Sequence, residues 1–180
     1  MHASIGWGFL VTRRSAEWEG LEDMLGLALD HCRPMQFRTG RQFLLCEGTR
    51  MESFQWTHSV DAISVEGETL KFQNLLTAAD TTGYCGEQTR PQKARIDRID
   101  SRDLNGDGRQ DLAIAASFGG MAESKRRQDL CEAAHDGKPG AQPMQPKIMK
   151  TYRIEYLFDG ERFKLTKASE PAALAFHGEN

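Results

Sequence analysis

The chain has 180 residues, of which 39% are hydrophobic, and a formal net charge of −3, so we expect one domain spanning residues 1–180 with a proper core. The nearly balanced charge gives no electrostatic basis for binding nucleic acid or an anionic membrane surface. No apolar run approaches the roughly 18 residues of a membrane span, so no transmembrane segment is predicted.

The N-terminal region predicts one strand followed by one helix. Residues 5–12 alternate large and small side chains, as a strand does. Ser15 is a suitable N-cap, and the apolar residues after it recur at near-helical spacing as far as Leu29. We therefore predict an amphipathic helix at about 16–31, ended by Pro34.

From residue 35 onwards the sequence is typical of short β-strands. The predicted strands are 41–47, 54–57, 60–65, 69–75, 94–99 and 111–117. Glu66-Gly67-Glu68 separates two of them and predicts the turn of a hairpin.

The C-terminal third combines a long polar stretch with a clear hairpin. Residues 119–149 are predicted as a long polar loop, although a short helix over 122–134 is compatible with the sequence. Residues 152–165 alternate around a central Asp159-Gly160 turn, which is the strongest hairpin signal in the chain. The tail from residue 168 to residue 180 is weakly specified.

The loop before the strand 111–117 carries the most specific chemical signal. Side-chain oxygens occupy its positions 1, 3, 5 and 9, a glycine (Gly108) lies at position 6, and Arg109 at position 7 would offer its backbone carbonyl. The four side-chain donors are Asp103, Asn105, Asp107 and Asp111. Such an all-oxygen set fits Ca²⁺ and lacks the His or Cys typical of Zn²⁺ sites. A plain acidic turn is the alternative, but three carboxylates this close would repel one another without a cation.

This loop resembles a known family. It is not an EF-hand, because Ile114 lies at position 12, where an EF-hand has a bidentate glutamate. Over residues 96–118 it resembles the Asp-x-Asn-x-Asp-Gly-x-x-Asp-Leu loops of FG-GAP and VCBS-type repeat proteins, in which the loop joins two β-strands. Those proteins usually repeat the motif around a propeller, whereas it occurs once here. The resemblance implies a calcium turn between two strands.

The four cysteines predict two disulfides, because none has the spacing of a zinc site. Three pairings are possible, and we favour Cys32–Cys46 and Cys85–Cys131. The alternative is four reduced thiols in a cytosolic protein. Disulfides together with Ca²⁺ favour a periplasmic or secreted protein. Residues 5–11 do not make a signal peptide, so we expect the leader to have been removed.

Taken together, these elements predict a mainly β fold with one N-terminal helix (α+β). We expect an antiparallel sheet or sandwich, or a partial propeller-like domain, stabilised by Ca²⁺ and disulfides.

No catalytic site is predicted. The five histidines are dispersed, and the motifs of common hydrolases and nucleotide-binding enzymes are absent from the sequence. His58 could act as a general base, but a histidine on a surface strand is the preferred interpretation. Glu66 and Glu68 could be paired acids, although solvated charges at a hairpin tip are more common.

A rigid scaffold without a catalytic site predicts a protein that binds another protein through its loops. The candidate partner-binding residues are Tyr84, Arg90, Lys125, Arg126 and Arg127. The basic cluster could equally be a solvated face. With its single calcium loop the chain loosely resembles bacterial periplasmic immunity proteins, which inhibit peptidoglycan-degrading effectors. The alternatives are a structural or adhesive FG-GAP-like envelope module and a hydrolase with an unrecognised site.

Overall fold

The computed structural model describes residues 9–14, 17–23, 31–36, 42–52, 55–66, 69–82, 92–121, 125–139, 145–147 and 149–177. The strands in this part of the chain are β1 (Phe9–Arg14), β2 (Glu17–Asp23), β3 (His31–Gln36), β4 (Gln42–Glu52), β5 (Gln55–Glu66), β6 (Thr69–Asp80), β7 (Gln92–Arg102), β8 (Asp111–Gly120), β9 (Lys150–Phe158) and β10 (Phe163–Leu165). The helices are α1 (Lys125–His135), a 3₁₀ turn (Lys167–Ser169) and α2 (Glu170–His177). Among these helices, none is long and apolar enough to cross a membrane.

The strands form one small and one large antiparallel sheet. Strands β1 and β2 pair with each other, and β3 to β10 form an eight-stranded sheet in strict chain order. Strands that follow one another in the sequence are therefore neighbours in the sheet. Strands β6 and β7 are paired over a very short length, because Asp80–Lys93 is the one register pair between their described residues. We call this short junction the seam of the large sheet. The seam divides the sheet into two halves, β3–β6 and β7–β10.

The two halves pack against each other. The Phe43 ring on β4 meets Phe158 on β9 edge to face with the ring centroids 5.2 Å apart, and Phe163 on β10 at 6.0 Å. The Gln73 side chain on β6 donates to the Phe163 carbonyl at 2.5 Å and accepts from the Phe163 N–H at 3.0 Å. This side-chain amide therefore pairs with the backbone of β10 much as another strand would. The core lies between the halves and reaches α2, where Phe176 is buried.

The predicted helix at about 16–31 is wrong. Residues 17–23 form β2, which pairs with β1, and His31–Gln36 forms β3, while residues 24–30 lie outside the described part. Gly20 and Gly26 would each weaken a helix by about 1 kcal/mol. Residues 17–23 instead form backbone hydrogen bonds with β1. The fold is mainly β, as predicted, but the α-helices of the described part lie in the C-terminal half and not near the N-terminus. Of the expected architectures, the antiparallel sheet is the one observed.

Most other predicted elements are present with shifted ends. The predicted strands 54–57 and 60–65 are one continuous strand, β5, which pairs with β6 through Glu66 and Thr69 as the hairpin prediction required. The helix over 122–134 corresponds to α1. Helix α2 was not predicted in the tail. It packs through Phe176, whose ring lies 5.9 Å from Phe118 and 5.7 Å from Tyr152.

The Cys32–Cys46 disulfide is confirmed. The two residues are register partners on β3 and β4, separated by 14 residues. Closing a loop of this size stabilises a fold by roughly 3 kcal/mol. Cys131 is also disulfide-bonded and fully buried. Its predicted partner, Cys85, lies outside the described residues.

Candidate functional site

The candidate site is the loop that joins β7 to β8. These strands pair along their length, and the pair Arg102–Asp111 closes the ladder at the loop. Gly106 and Gly108 have φ angles of 81° and 80°, a left-handed conformation that other residues rarely adopt. The two glycines therefore let the chain turn tightly between the strands.

Asp103 organises the first part of the loop. Its Oδ1 accepts the N–H of Gly106 at 2.7 Å, and its Oδ2 accepts the N–H of Gly108 at 2.8 Å. The Gly108 N–H is the main reason why the pKa of the Asp103 carboxyl lies below its ordinary value, with a further contribution from Gly106. Asp103 is therefore held as a carboxylate.

Asn105 and Asp107 continue the same pattern. The side-chain oxygen of Asn105 accepts the Asp107 N–H at 3.0 Å, and Oδ1 of Asp107 accepts the Arg109 N–H at 2.8 Å. The Asn105 side-chain amide also donates to Oδ2 of Asp107 at 3.1 Å. Asp103, Asn105 and Asp107 thus each accept at least one backbone N–H of the loop itself.

Asp111 differs from the other donors because it is fully buried. Its Oδ2 accepts the Leu104 N–H at 2.9 Å, and its Oδ1 accepts the Phe158 N–H at 2.8 Å. One carboxylate therefore ties the start of the loop to the last residue of β9. Hydrogen bonds of this kind to a charged acceptor are stronger than those between neutral groups.

The turn between β9 and β10 packs on the same loop. The Arg109 guanidinium donates to the Phe158 carbonyl at 3.5 Å. The guanidinium packs beside Gly160, where a Cβ would lie at van der Waals distance, 3.7 Å from Nη1. Gly160 has a φ of 104°. Asp159 is paired with Lys164 at 2.8 Å, and this bond is the main reason why the pKa of Asp159 lies well below its ordinary value. The loop and the turn thus form one unit.

Comparison with known families covers the same segment. Residues 98–130 match the family model described as FG-GAP repeat. The match includes the last five residues of β7, the loop, all of β8 and the start of α1, which supports the predicted FG-GAP-type resemblance for less than half of the chain. No curated protein and no solved structure matches the chain.

The segment 103–111, which includes the turn between β7 and β8 and is called the FG-GAP loop below, has oxygen donors suited to a hard cation. Within the described ranges, no three His, Cys, Asp or Glu side chains are placed to hold a metal by themselves. The loop offers three carboxylates, the amide oxygen of Asn105 and the carbonyl of Arg109, which are the oxygen ligands that Ca²⁺ takes. A carboxylate oxygen that accepts one N–H keeps a second lone pair for a cation. Asp103 and Asp107 are exposed, whereas Asp111 also has a structural role.

The predicted partner-binding residues lie outside the described part or have side chains that are not described. Tyr84 and Arg90 are outside it. The backbone of Lys125, Arg126 and Arg127 forms the first turn of α1, although their side chains are not among those described. These predictions stay untested.

His58 has a carboxylate neighbour. Its Nε2 lies 3.6 Å from Glu47 Oε2, and both side chains are partly exposed. On the same strand, buried Asp61 accepts hydrogen bonds from Ser59 at 2.8 Å and from Asn74 at 2.9 Å. His58 therefore lies beside a carboxylate at a partly exposed position, as expected for a histidine on a surface strand.

Sequence reasoning missed two contacts of the FG-GAP loop. These are the hydrogen bond from the Phe158 N–H to Asp111 and the packing of Arg109 beside Gly160. The hairpin that contains Phe158 and Gly160 was predicted from its Asp159-Gly160 turn. Its contact with Asp111 could not be predicted, because the two segments are separated by 47 residues.

Proposed function

We propose that the protein is a non-enzymatic, extracytoplasmic binding protein stabilised by Ca²⁺ at its FG-GAP loop. The observation that carries the proposal is the loop itself, with its regularly spaced oxygen donors and its match to the FG-GAP repeat. The residues that would hold the cation are Asp103, Asn105, Asp107, Asp111 and, through its carbonyl, Arg109. Bound Ca²⁺ would offset the mutual repulsion of the three carboxylates.

The cysteines support a location outside the cytosol. Both Cys46 and Cys131 are fully buried and disulfide-bonded. Structural disulfides persist in the periplasm and outside the cell, where thiols are not kept reduced. The same compartments are the ones in which a modest calcium affinity suffices.

A narrower proposal concerns the partner, an enzyme that degrades the bacterial cell wall. Helix α1 carries Lys125, Arg126 and Arg127 in its first turn and is held by the disulfide of Cys131. Glycosidases use two carboxylates that flank the scissile bond. A basic cluster on an anchored helix complements such an acidic cleft. An adhesive or structural envelope module is the second candidate, favoured by the FG-GAP match alone.

Removing calcium should lower the melting temperature. A ligand at about 100 times its Kd stabilises by roughly 2.7 kcal/mol, and each kcal/mol shifts the melting temperature of a chain this size by about 2–4 °C. We therefore expect EDTA to lower the melting temperature by roughly 5–10 °C. Differential scanning fluorimetry with Ca²⁺ or EDTA measures this shift.

Asp107→Ala should abolish the shift while leaving the melting temperature in EDTA unchanged. Asp136→Ala, which removes an exposed carboxylate outside the loop, is the matched control and should keep the full shift. A wild-type melting curve that is the same in Ca²⁺ and EDTA would show that no structural calcium is bound.

The partner can be sought among purified peptidoglycan glycosidases. We expect one of them to form a stoichiometric complex in which its activity is lost. Reversing the charges of residues 125–127 to glutamate should weaken this complex, whereas Lys150→Glu, at an exposed position on β9, should not. A complex without inhibition would favour the envelope module. Turnover of peptidoglycan by the protein alone would contradict a non-enzymatic role.

A further inference from the structure

A cleft of about 280 Å³ opens between the β5–β6 hairpin and the β9–β10 turn. Its deep part is apolar, because Phe43 and Ala62 line it and are 4% and 2% exposed. The ring of Phe72 also lines the cleft and is 45% exposed, which is high for so large an apolar side chain. The cleft therefore offers apolar surface that water can reach.

The charges that line the cleft are mainly positive. Lys71 and Arg162 are both exposed, and neither forms an ion pair with another residue of the described ranges. Lys164, two residues from Arg162, is instead neutralised by Asp159 at 2.8 Å. Among the described residues that line the cleft, Glu161 is the one acidic side chain, so these residues carry a net charge of +1, against −3 for the whole chain. The cleft thus attracts a negatively charged group.

The walls of the cleft are held together by contacts of buried groups. The Gln73 amide binds both backbone groups of Phe163, which fixes the β9–β10 turn against β6. The Phe43 ring, in the deep part of the cleft, packs on Phe158 and Phe163. A preformed site of this kind binds with less loss of conformational entropy than a flexible one.

We propose that this cleft binds an acidic peptide segment of a partner protein, with one aromatic or aliphatic side chain as its anchor. Pockets for small molecules usually measure about 300–1,000 Å³, so this smaller cleft suits one large side chain. A central apolar anchor within a rim of charge pairs is the usual arrangement of a protein interface. The proposal rests on the proposed binding function, but the residues that line its site belong neither to the predicted calcium ligands nor to the basic turn of α1.

Peptide display can test the cleft directly. A library of random linear peptides is selected on the wild-type protein after depletion on the Lys71→Glu/Arg162→Glu variant. We expect the enriched peptides to combine two or more acidic residues with one large apolar residue. In fluorescence anisotropy at low salt, the double variant should bind a labelled enriched peptide at least about tenfold more weakly, since two charge pairs become repulsive.

Two further variants distinguish peptide binding in the cleft from a general effect of net charge. Phe72→Ala should weaken the peptide by about tenfold while leaving the fold intact, because this ring is half exposed. Lys150→Glu/Lys167→Glu makes the same change in net charge at exposed positions outside the cleft and should bind normally. Failure to enrich any peptide, enrichment of basic or uncharged peptides, or equal binding by Phe72→Ala would overturn the proposal. None of these outcomes depends on Ca²⁺ or on a cell-wall enzyme, so the proposed function is tested separately.

Discussion

Asp111→Ala should lower the free energy of unfolding by roughly 2–5 kcal/mol even when EDTA has removed every divalent cation. The Asp111 carboxylate is fully buried and accepts the N–H groups of Leu104 and Phe158. Without it, both amides lose their partner inside the protein, and each unsatisfied buried group costs about 1–3 kcal/mol. Urea denaturation in EDTA, followed by circular dichroism, measures the loss.

Asp107→Ala provides the comparison for that experiment. Asp107 is exposed, and its Oδ1 accepts one N–H within the same loop, from Arg109. In EDTA we expect it to change stability by less than about 0.5 kcal/mol, and with Ca²⁺ to lose the stabilisation by the cation. If both variants were equally stable in EDTA, Asp111 would have no structural role beyond that of a metal ligand.

Phe158→Ala should destabilise the protein by roughly 3–5 kcal/mol, the usual range for a fully buried phenylalanine. This ring is 1% exposed, and its centroid lies 5.2 Å from those of Phe43 and Phe163. It therefore joins the two halves of the sheet, whose described register across the seam is one residue pair. Thermal and urea denaturation both report the change.

Phe72→Ala is the matched control, because it removes the same ring from a position that is 45% exposed. We expect it to lower stability by less than about 1 kcal/mol. Equal losses for the two variants would mean that the halves do not depend on the aromatic contact at Phe158.

The features that sequence predicted well are local ones. The Asp159-Gly160 turn and the alternation around it lie within one hairpin, and the donors of the FG-GAP loop follow one another within nine residues. The Cys32–Cys46 pair also closes a short segment. Short-range patterns of this kind depend on backbone geometry that neighbouring residues determine.

The features that sequence could not supply depend on distant partners. The same apolar residues from Trp18 to Leu29 fit a helical face, but β2 is stabilised by its pairing with β1. Asp111 was predicted as a metal ligand, whereas its bond to Phe158 spans 47 residues and gives it a second role. Helix α2 gains its stability from Phe176 against Phe118 and Tyr152, which no periodicity in the tail indicates.

The pairing of Gln73 with Phe163 has a consequence for solubility. Strand β10 is at the end of the eight-stranded sheet, and the backbone N–H and C=O groups of an end strand can recruit a strand of another molecule and start aggregation. The Gln73 amide already occupies both groups of Phe163. Because β10 is only three residues long and Phe163 is its first residue, this single side chain leaves fewer backbone groups of β10 for a strand of another molecule. The side chain that joins the two halves therefore also hinders strand addition at the β10 edge of the sheet.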